Sequence, residues 1–463
     1  MTLIIVEIVI LQFQHNKIMD ISSVSMSLYF TLAGLIIHFT LVPQSIAKNT
    51  FFKPSVFALL GLVIVQAQIY LDLVLNIASQ FNYYIWINPA IVNYSAYISS
   101  IAVNCFLLGN SINFREIQKV KIRKEIIGVN FLIPLSFIVL AAYFSFLNKA
   151  YLFGGYGTVN IGVEATYLAL IFQILIYAYL IQNTINIYFQ GGVKTLREYV
   201  IKMKVSFLML IIIYLISVIL SGDRGPIFLY SLPYLTGYIF LTKFKINFIK
   251  ASLGLLFATF FFNFLGNIRS LDNSTSFQAR AVESIVAADD KTETILGGTY
   301  ELASSIRTLH YAVDYVNQTG ETMNGRFLFQ QVANTIPFFN YFYSVIFKDM
   351  SYKTKGSASF FTWLEQGDNP SSGVGSSVVA DFYIDTGLIG VIIGMIFFGG
   401  LMRYLDILLY SRGMASLFTM CLLFVYISVA LYISRSELLT HLKLTVWTFL
   451  LLIGIRIFTH KRI

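Results

Sequence analysis

The sequence predicts an all-α, polytopic membrane protein of about twelve (eleven or twelve) transmembrane helices with one large external loop domain. Three observations predict it. Of the 463 residues, 57% are hydrophobic and 12% charged, against about 25% charged in a soluble domain, and the mean hydropathy is +0.73. The apolar runs reach the roughly 20 residues that cross a hydrocarbon core as helices and lack the short alternating pattern of barrel strands. The basic residues fall in short clusters between those runs, which the positive-inside rule explains without a nucleic-acid partner.

Taken in order, the predicted spans are 21–42, 54–75, 85–109, 126–147, 162–189, 205–221, 226–241, 251–267, 377–402, 414–434 and 438–458. The opening stretch, MTLIIVEIVILQFQ, is short for a span. It reads as a twelfth helix, as a surface helix, or as the product of an early start codon with Met19 or Met26 as later starts; we count it as a twelfth.

Orientation follows from sorting the 32 Lys and Arg. Connectors on one side hold nineteen, among them Lys48, Lys53, Lys243, Arg403 and Arg412. Short connectors on the other side hold five: Lys17, Lys149, Arg224, Arg435 and Lys443. That bias places both termini in the cytoplasm. The remaining eight lie in residues 268–376, which are external, carry eleven acids and a net charge of −3, and far exceed an ordinary connector. The expected organisation is N-terminal membrane helices at 1–267, a folded external cap at 268–376 and C-terminal membrane helices at 377–463. Within the cap, ELASSIRTLHYAVDYVNQTG (301–320) has helical apolar spacing and a closing Gly320.

Several chemistries find no support. Cys105 and Cys421 sit inside apolar runs, so neither a disulfide framework nor a thiolate metal site is suggested. VGSSVV and GGYGTVNIG match neither a Walker loop nor a dinucleotide fingerprint. No metal, nucleotide or other cofactor is implied. Asn273 and Asn317 head glycosylation sequons, a pattern that also arises by chance.

What stands out is the polar character of the external face. SGDRGP places Asp223 and Arg224 at a tight reversal between two spans. The bland reading is an interfacial charge pair at a Gly-Pro turn; the functional one is an arginine held for phosphate, whose planar fork stays charged and donates in pairs. Arg269, Arg280 and Arg307 add cations to the same face. ELASSIRTLHYAV sets Glu301, Arg307 and His310 on neighbouring turns, Arg307 and His310 sharing a face. An acid, a base and a cation there fit acid–base work beside an anionic leaving group, or form a solvated face with a packed histidine. Asp381 and Asp385 lie one turn apart at the start of an apolar helix, where they share a proton, bind a cation, activate a hydroxyl, or simply complement the helix dipole. External aromatics such as those of SQFNYYIWINP stack on sugar rings or form an interfacial belt.

The order of these features resembles the O-antigen polymerase (Wzy) family of oligosaccharide repeat-unit polymerases. The likeness rests on SGDRGP, on the large external loop late in the chain, and on EQGDNPSSGVGSSVVADFYIDTGLIGVIIG, and it spans about residues 205–400. It implies a GT-C-like glycosyltransferase of the bacterial inner membrane, active at the periplasmic face. Such an enzyme moves a polysaccharide from an undecaprenyl-pyrophosphate carrier onto a new lipid-linked repeat unit, beside a chain-length regulator. Position by position, the resemblance gives pyrophosphate binding to Arg224, Arg280 and Arg307, with Asp223 orienting Arg224, and leaves proton transfer among Glu301, His310 and Asp381. The chain departs from the related O-antigen ligases, whose external loop is expected to end in a histidine signature, since His310 sits early. A lipid-linked oligosaccharide flippase, an O-antigen ligase and a structural membrane partner are the competing readings. A flippase is expected to carry mid-helix charges in two similar halves, whereas here they gather on one face.

Overall fold

A computed structural model describes residues 1–14, 17–41, 50–77, 79, 82, 84–114, 126–152, 161–221, 223, 225–247, 249–254, 297–336, 339, 353–411 and 416–460. Arg224, Arg269, Arg280, Asn273 and most of the predicted span 251–267 lie outside them. The described residues form helices and connectors without a strand. In chain order the helices are α1 (Thr2–Gln12), α2 (Ile21–Leu41), α3 (Pro54–Val74), α4 (Val92–Asn110), α5 (Leu132–Phe146), α6 (Lys149–Leu152), α7 (Val163–Phe189), α8 (Leu196–Lys202), α9 (Val205–Ser221) and α10 (Gly225–Thr242). The cap contributes α11 (Tyr300–Ala303), α12 (Ile306–Thr319), α13 (Arg326–Ala333) and α14 (Ser357–Gln366). Then come α15 (Val378–Tyr410), α16 (Leu417–Val429) and α17 (Leu442–His460).

Local chemistry sets many of these limits. Lys53 is extended and Pro54 supplies a preset first helical residue for α3. Asn88 caps the turn into α4, its side chain accepting from Ala90 N at 3.0 Å, and Ser377 and Ser416 cap α15 and α16 in the same way. Among the described residues six helices are long and apolar enough to cross a bilayer, and a seventh candidate is α8 with α9, bent by 92°. The bend falls at Lys204, whose φ of 66° lies in the left-handed region. At 1.5 Å per residue the 11 residues of α1 and the 13 of α16 cover about half of the ~30 Å core. Hydropathy alone cannot separate such half-length helices from spans.

At the centre stands α4, with 17 of its 19 residues buried. It meets α15 through glycines: a Cβ on Gly109 would collide with the Ile396 carbonyl and one on Gly399 with the Phe106 carbonyl. In lipid, where apolar burial does not drive association, such close backbone approach is what packs helices. Polar ties add to it. Glu7 of α1, fully buried, accepts from Ser100 and, at 2.9 Å, from Asn104, while Thr31 of α2 lies 3.0 Å from Ser100. A second group, α5, α7, α9 and α10, is joined by ring contacts around Tyr214: tilted against Tyr143 at 6.0 Å and Phe172 at 5.0 Å, and edge-on to Tyr230 at 5.2 Å.

Helices α11–α14 sit over the C-terminal end of α3 and the N-terminal ends of α4 and α15. Helix α12 turns Ile306, Leu309, Ala312 and Val313 inward and ends at Gly320, whose φ of 71° lets the chain reverse. Trp447 of α17 donates to Thr335 O at 2.8 Å, fastening cap to membrane helices.

Candidate functional site

The site is built at the N-terminal end of α15. Two turns into this helix, at Thr386 and Gly387 (φ 66°, ψ −154°), the helical backbone breaks. Residues 378–385 therefore form a short segment seated in the cap. Asp385 at its end accepts from Phe327 N at 3.1 Å and Leu328 N at 2.6 Å, capping α13. Asp381, one turn earlier, takes different partners: Ser376 Oγ, and Gln331 Nε2 at 3.1 Å. The two carboxylates thus project to one side, as their spacing predicts, but only Asp381 faces polar side chains.

Glu437, from the turn between α16 and α17, completes this cluster. It accepts from Ser357 Oγ at 2.9 Å at the start of α14, and Ser357 Oγ is 3.4 Å from Ser376 Oγ, which donates to Asp381. Gln331 ties the same turn down by accepting from Leu439 N at 3.1 Å. Two carboxylates from separate segments are therefore linked through a pair of serines. Beside Ser357, the rest of α14 forms one wall of an open groove of about 480 Å³, between Ala358, Ser359 and Thr362 and the Ser/Gly-rich loop 370–375. Gln366 holds that loop by accepting from Ser371 N at 2.9 Å and donating to Ser372 O at 2.8 Å.

Two arginines face the same end, each bound to an acid. Arg307 of α12 lies 3.4 Å from both Glu365 oxygens, with its guanidinium 4.1 Å from the centre of the Tyr84 ring. Arg435 lies 3.2 Å from Glu301. The first pair is mostly shielded, its side chains 11% and 19% exposed; the second is open, at 36% and 38%.

His310 is placed otherwise. It is fully buried; its Nδ1 donates to Ile85 O at 2.7 Å and its Nε2 accepts from Tyr70 OH at 2.9 Å. A carbonyl can only accept, so these contacts fix the neutral tautomer. Burial pushes His310 down to about 4, against the Ile85 carbonyl, which favours the charged ring. Trp86 packs on it at 5.7 Å. Both ring nitrogens are thus engaged within the protein.

Asp223 accepts from Gly225 N at 3.0 Å, which caps the start of α10. Arg224 and Arg280 lie outside the described residues. Helix α10 adjoins the site: the Phe228 ring lies 6.5 Å from that of Tyr432, three residues before Arg435. Tyr143 and Tyr214 lie within electrostatic reach of Asp223. The structure thus gathers Glu301, Arg307 and Asp381 at one end, with Asp223 on the adjoining helix and His310 packed beneath. Sequence reasoning missed Glu437 and counted Arg435 only as an external charge. The run SRSELLTH, polar between two apolar segments, was the available signal. Among the described residues no group of three or more His, Cys, Asp or Glu is placed to hold a metal ion.

No curated protein and no solved structure matches the chain. A family model, O-antigen polysaccharide polymerase Wzy, matches residues 1–463. A multi-pass helical architecture with arginines and carboxylates gathered at one end of the bundle accords with that match, and the chain belongs to the Wzy family of O-antigen polysaccharide polymerases.

Proposed function

We propose that this O-antigen polymerase transfers a growing chain from an undecaprenyl-pyrophosphate carrier to the non-reducing end of a lipid-linked repeat unit, at the periplasmic face of the inner membrane. The observation that carries this reading is the presence of two Arg–carboxylate pairs, Arg435–Glu301 and Arg307–Glu365, at the same end as the groove. A pyrophosphate offers arginine the same bidentate acceptor as a carboxylate, with more charge. Its arrival exchanges the partner, so that Arg435 and Arg307, with Arg224 and Arg280, hold the leaving group while Glu301 is released beside it. The acceptor hydroxyl then gives its proton to Glu301 and its oxygen bonds to the anomeric carbon. The sugar–pyrophosphate bond breaks, and the charge left on the carrier is met by preorganised arginines.

Asp381 and Glu437 form a second acid pair at the groove wall, and Asp381 is the alternative base. Asp223 presets the turn that carries Arg224. His310 braces the cap on α3 through Tyr70. Twelve spans in a GT-C-like arrangement, cytoplasmic termini and a chain-length regulator as partner belong to the same proposal.

The test is the surface polysaccharide of a strain deleted for this gene and complemented with wild type or Arg435→Ala, resolved as a ladder. Core carrying a single repeat unit, with the variant present at normal membrane level, is the expected result. Full polymer left on the carrier lipid, or an unchanged ladder, would overturn it.

A further inference from the structure

The end of the bundle away from the cap holds a cluster that the proposed reaction does not use. Arg403 lies near the end of α15, and Lys53 is the extended residue that opens α3. They are 8% and 4% exposed. The two are brought together by Ser55, two residues after Lys53, which is hydrogen-bonded to Asp406, one turn beyond Arg403 on α15. A buried cation normally has a carboxylate or an acceptor to itself, because desolvating it otherwise costs several kcal/mol. Here one acid faces two cations, and that acid is already engaged. Asp406 accepts from Ser55 N at 3.1 Å and from Ser55 Oγ at 2.5 Å.

The other polar groups at this end are spoken for as well. His38 is held between Ser111 Oγ at 3.2 Å and Asn110 Nδ2 at 3.3 Å. Lys243 donates to Leu409 O at 2.8 Å and lies 4.1 Å over the Phe240 ring. Tyr410 OH donates to Phe52 O at 2.8 Å. Neither the Lys53 ammonium nor the Arg403 guanidinium has a hydrogen-bond or ion-pair partner among the described residues, and Arg403 Nε is buried without an acceptor. A topogenic charge, needed only to orient the chain, sits on an exposed residue; these two residues are almost wholly covered.

We propose that Lys53 and Arg403 bind a phosphate group at the end of the bundle opposite the cap. The chemistry is that of a guanidinium fork and an ammonium point charge, offered from the start of α3 and from near the end of α15, where Ser55 and Asp406 hold the two helices together. Two sources offer it there: the phosphate of an anionic lipid headgroup, or free phosphate. The bound anion would offset the excess positive charge and join α3 to α15, two helices whose other ends carry His310's brace and the Asp381 cluster.

The experiment is thermal unfolding of the purified full-length protein in a nonionic detergent, with inorganic phosphate or with a short-chain phosphatidylglycerol added separately. The midpoint is expected to rise by a few degrees once the bound ligand is in large excess. A rise with both probes identifies a site for the free ion, and a rise with the lipid alone identifies a headgroup site. Arg403→Gln and Lys53→Met are each expected to abolish the response. Lys53→Met, which removes an unneutralised buried charge, is also expected to unfold no earlier than wild type in the absence of anion. No shift with either probe, or an equal shift in wild type and Lys53→Met, would overturn the proposal. Arg403→Gln adds a second readout wherever it folds.

Discussion

Glu301 and Arg435, 134 positions apart in the sequence, meet at 3.2 Å at the end of the bundle that carries α11–α14. More than a third of each side chain is exposed, so the contact is worth at most about 1 kcal/mol of stability. Arg435→Ala is therefore expected to leave the unfolding midpoint nearly unchanged and to cut polymerisation tenfold or more. Restoring the pair in reverse, with Glu301→Arg and Arg435→Glu together, should not restore activity. Turnover measured on lipid-linked repeat units in vitro checks both statements.

His310 gives a pH signature of its own. Its folded pKa of about 4 lies below the usual value near 6.5, so the unfolded chain binds the proton first. The stability it contributes is complete above about pH 6.5 and declines as pH falls toward 4, by at most about 1.4 kcal/mol per pH unit. His310→Gln keeps a donor for Ile85 and an acceptor for Tyr70, and is expected to flatten that slope in thermal unfolding between pH 7 and pH 4.5. A His310→Gln enzyme that retains most of its turnover would place the base elsewhere; one that loses it while folding normally would return the role to His310.

Asp381→Asn should show how far the acid pair depends on ionisation. Asparagine offers one acceptor where Asp381 uses two, so either Ser376 or Gln331 loses its partner. The expected cost is about 1–3 kcal/mol. Combined with Glu437→Gln the losses should fall short of their sum, since both substitutions act on one serine-linked network. A double-variant cycle in chemical denaturation reads this directly.

Gly109→Ala tests the central crossing. The added methyl would strike the Ile396 carbonyl, which belongs to helix backbone and cannot rotate aside. Overpacking of this kind costs about 1–3 kcal/mol or more. Reduced accumulation in the membrane at 37 °C, with recovery at lower temperature, is the expected outcome on an immunoblot.

The helices were largely legible because the hydropathy of a lipid-facing segment is a local property. The runs read at 54–75, 162–189 and 205–221 appear as Pro54–Val74, Val163–Phe189 and Val205–Ser221. The half-length α1 was not, because its place is decided by Glu7 meeting Ser100 and Asn104 more than ninety positions away. The candidate site was legible by composition and illegible by partnership. Charge on the outer face singled out Arg307 and Asp381, but nothing in IDTG indicated that Asp385 would cap α13. Nothing in YISRSE indicated that Arg435 would meet Glu301. His310 drew attention as the sole histidine of the cap, and packing against Trp86 and Tyr70 accounts for its placement.

The break at Thr386 and Gly387 has a mechanical side. Below it, residues 388–410 form a continuous rod packed on α4; above it, the Asp385 cap rivets eight residues to α13. Glycine alone tolerates the backbone found at 387, so the joint is encoded by one residue. We expect a thinner or thicker bilayer to be absorbed as tilt of the rod, with the acid-bearing turn keeping its seat. In that sense α15 is a universal coupling, a jointed shaft between the proposed site and the membrane-spanning rod beneath it.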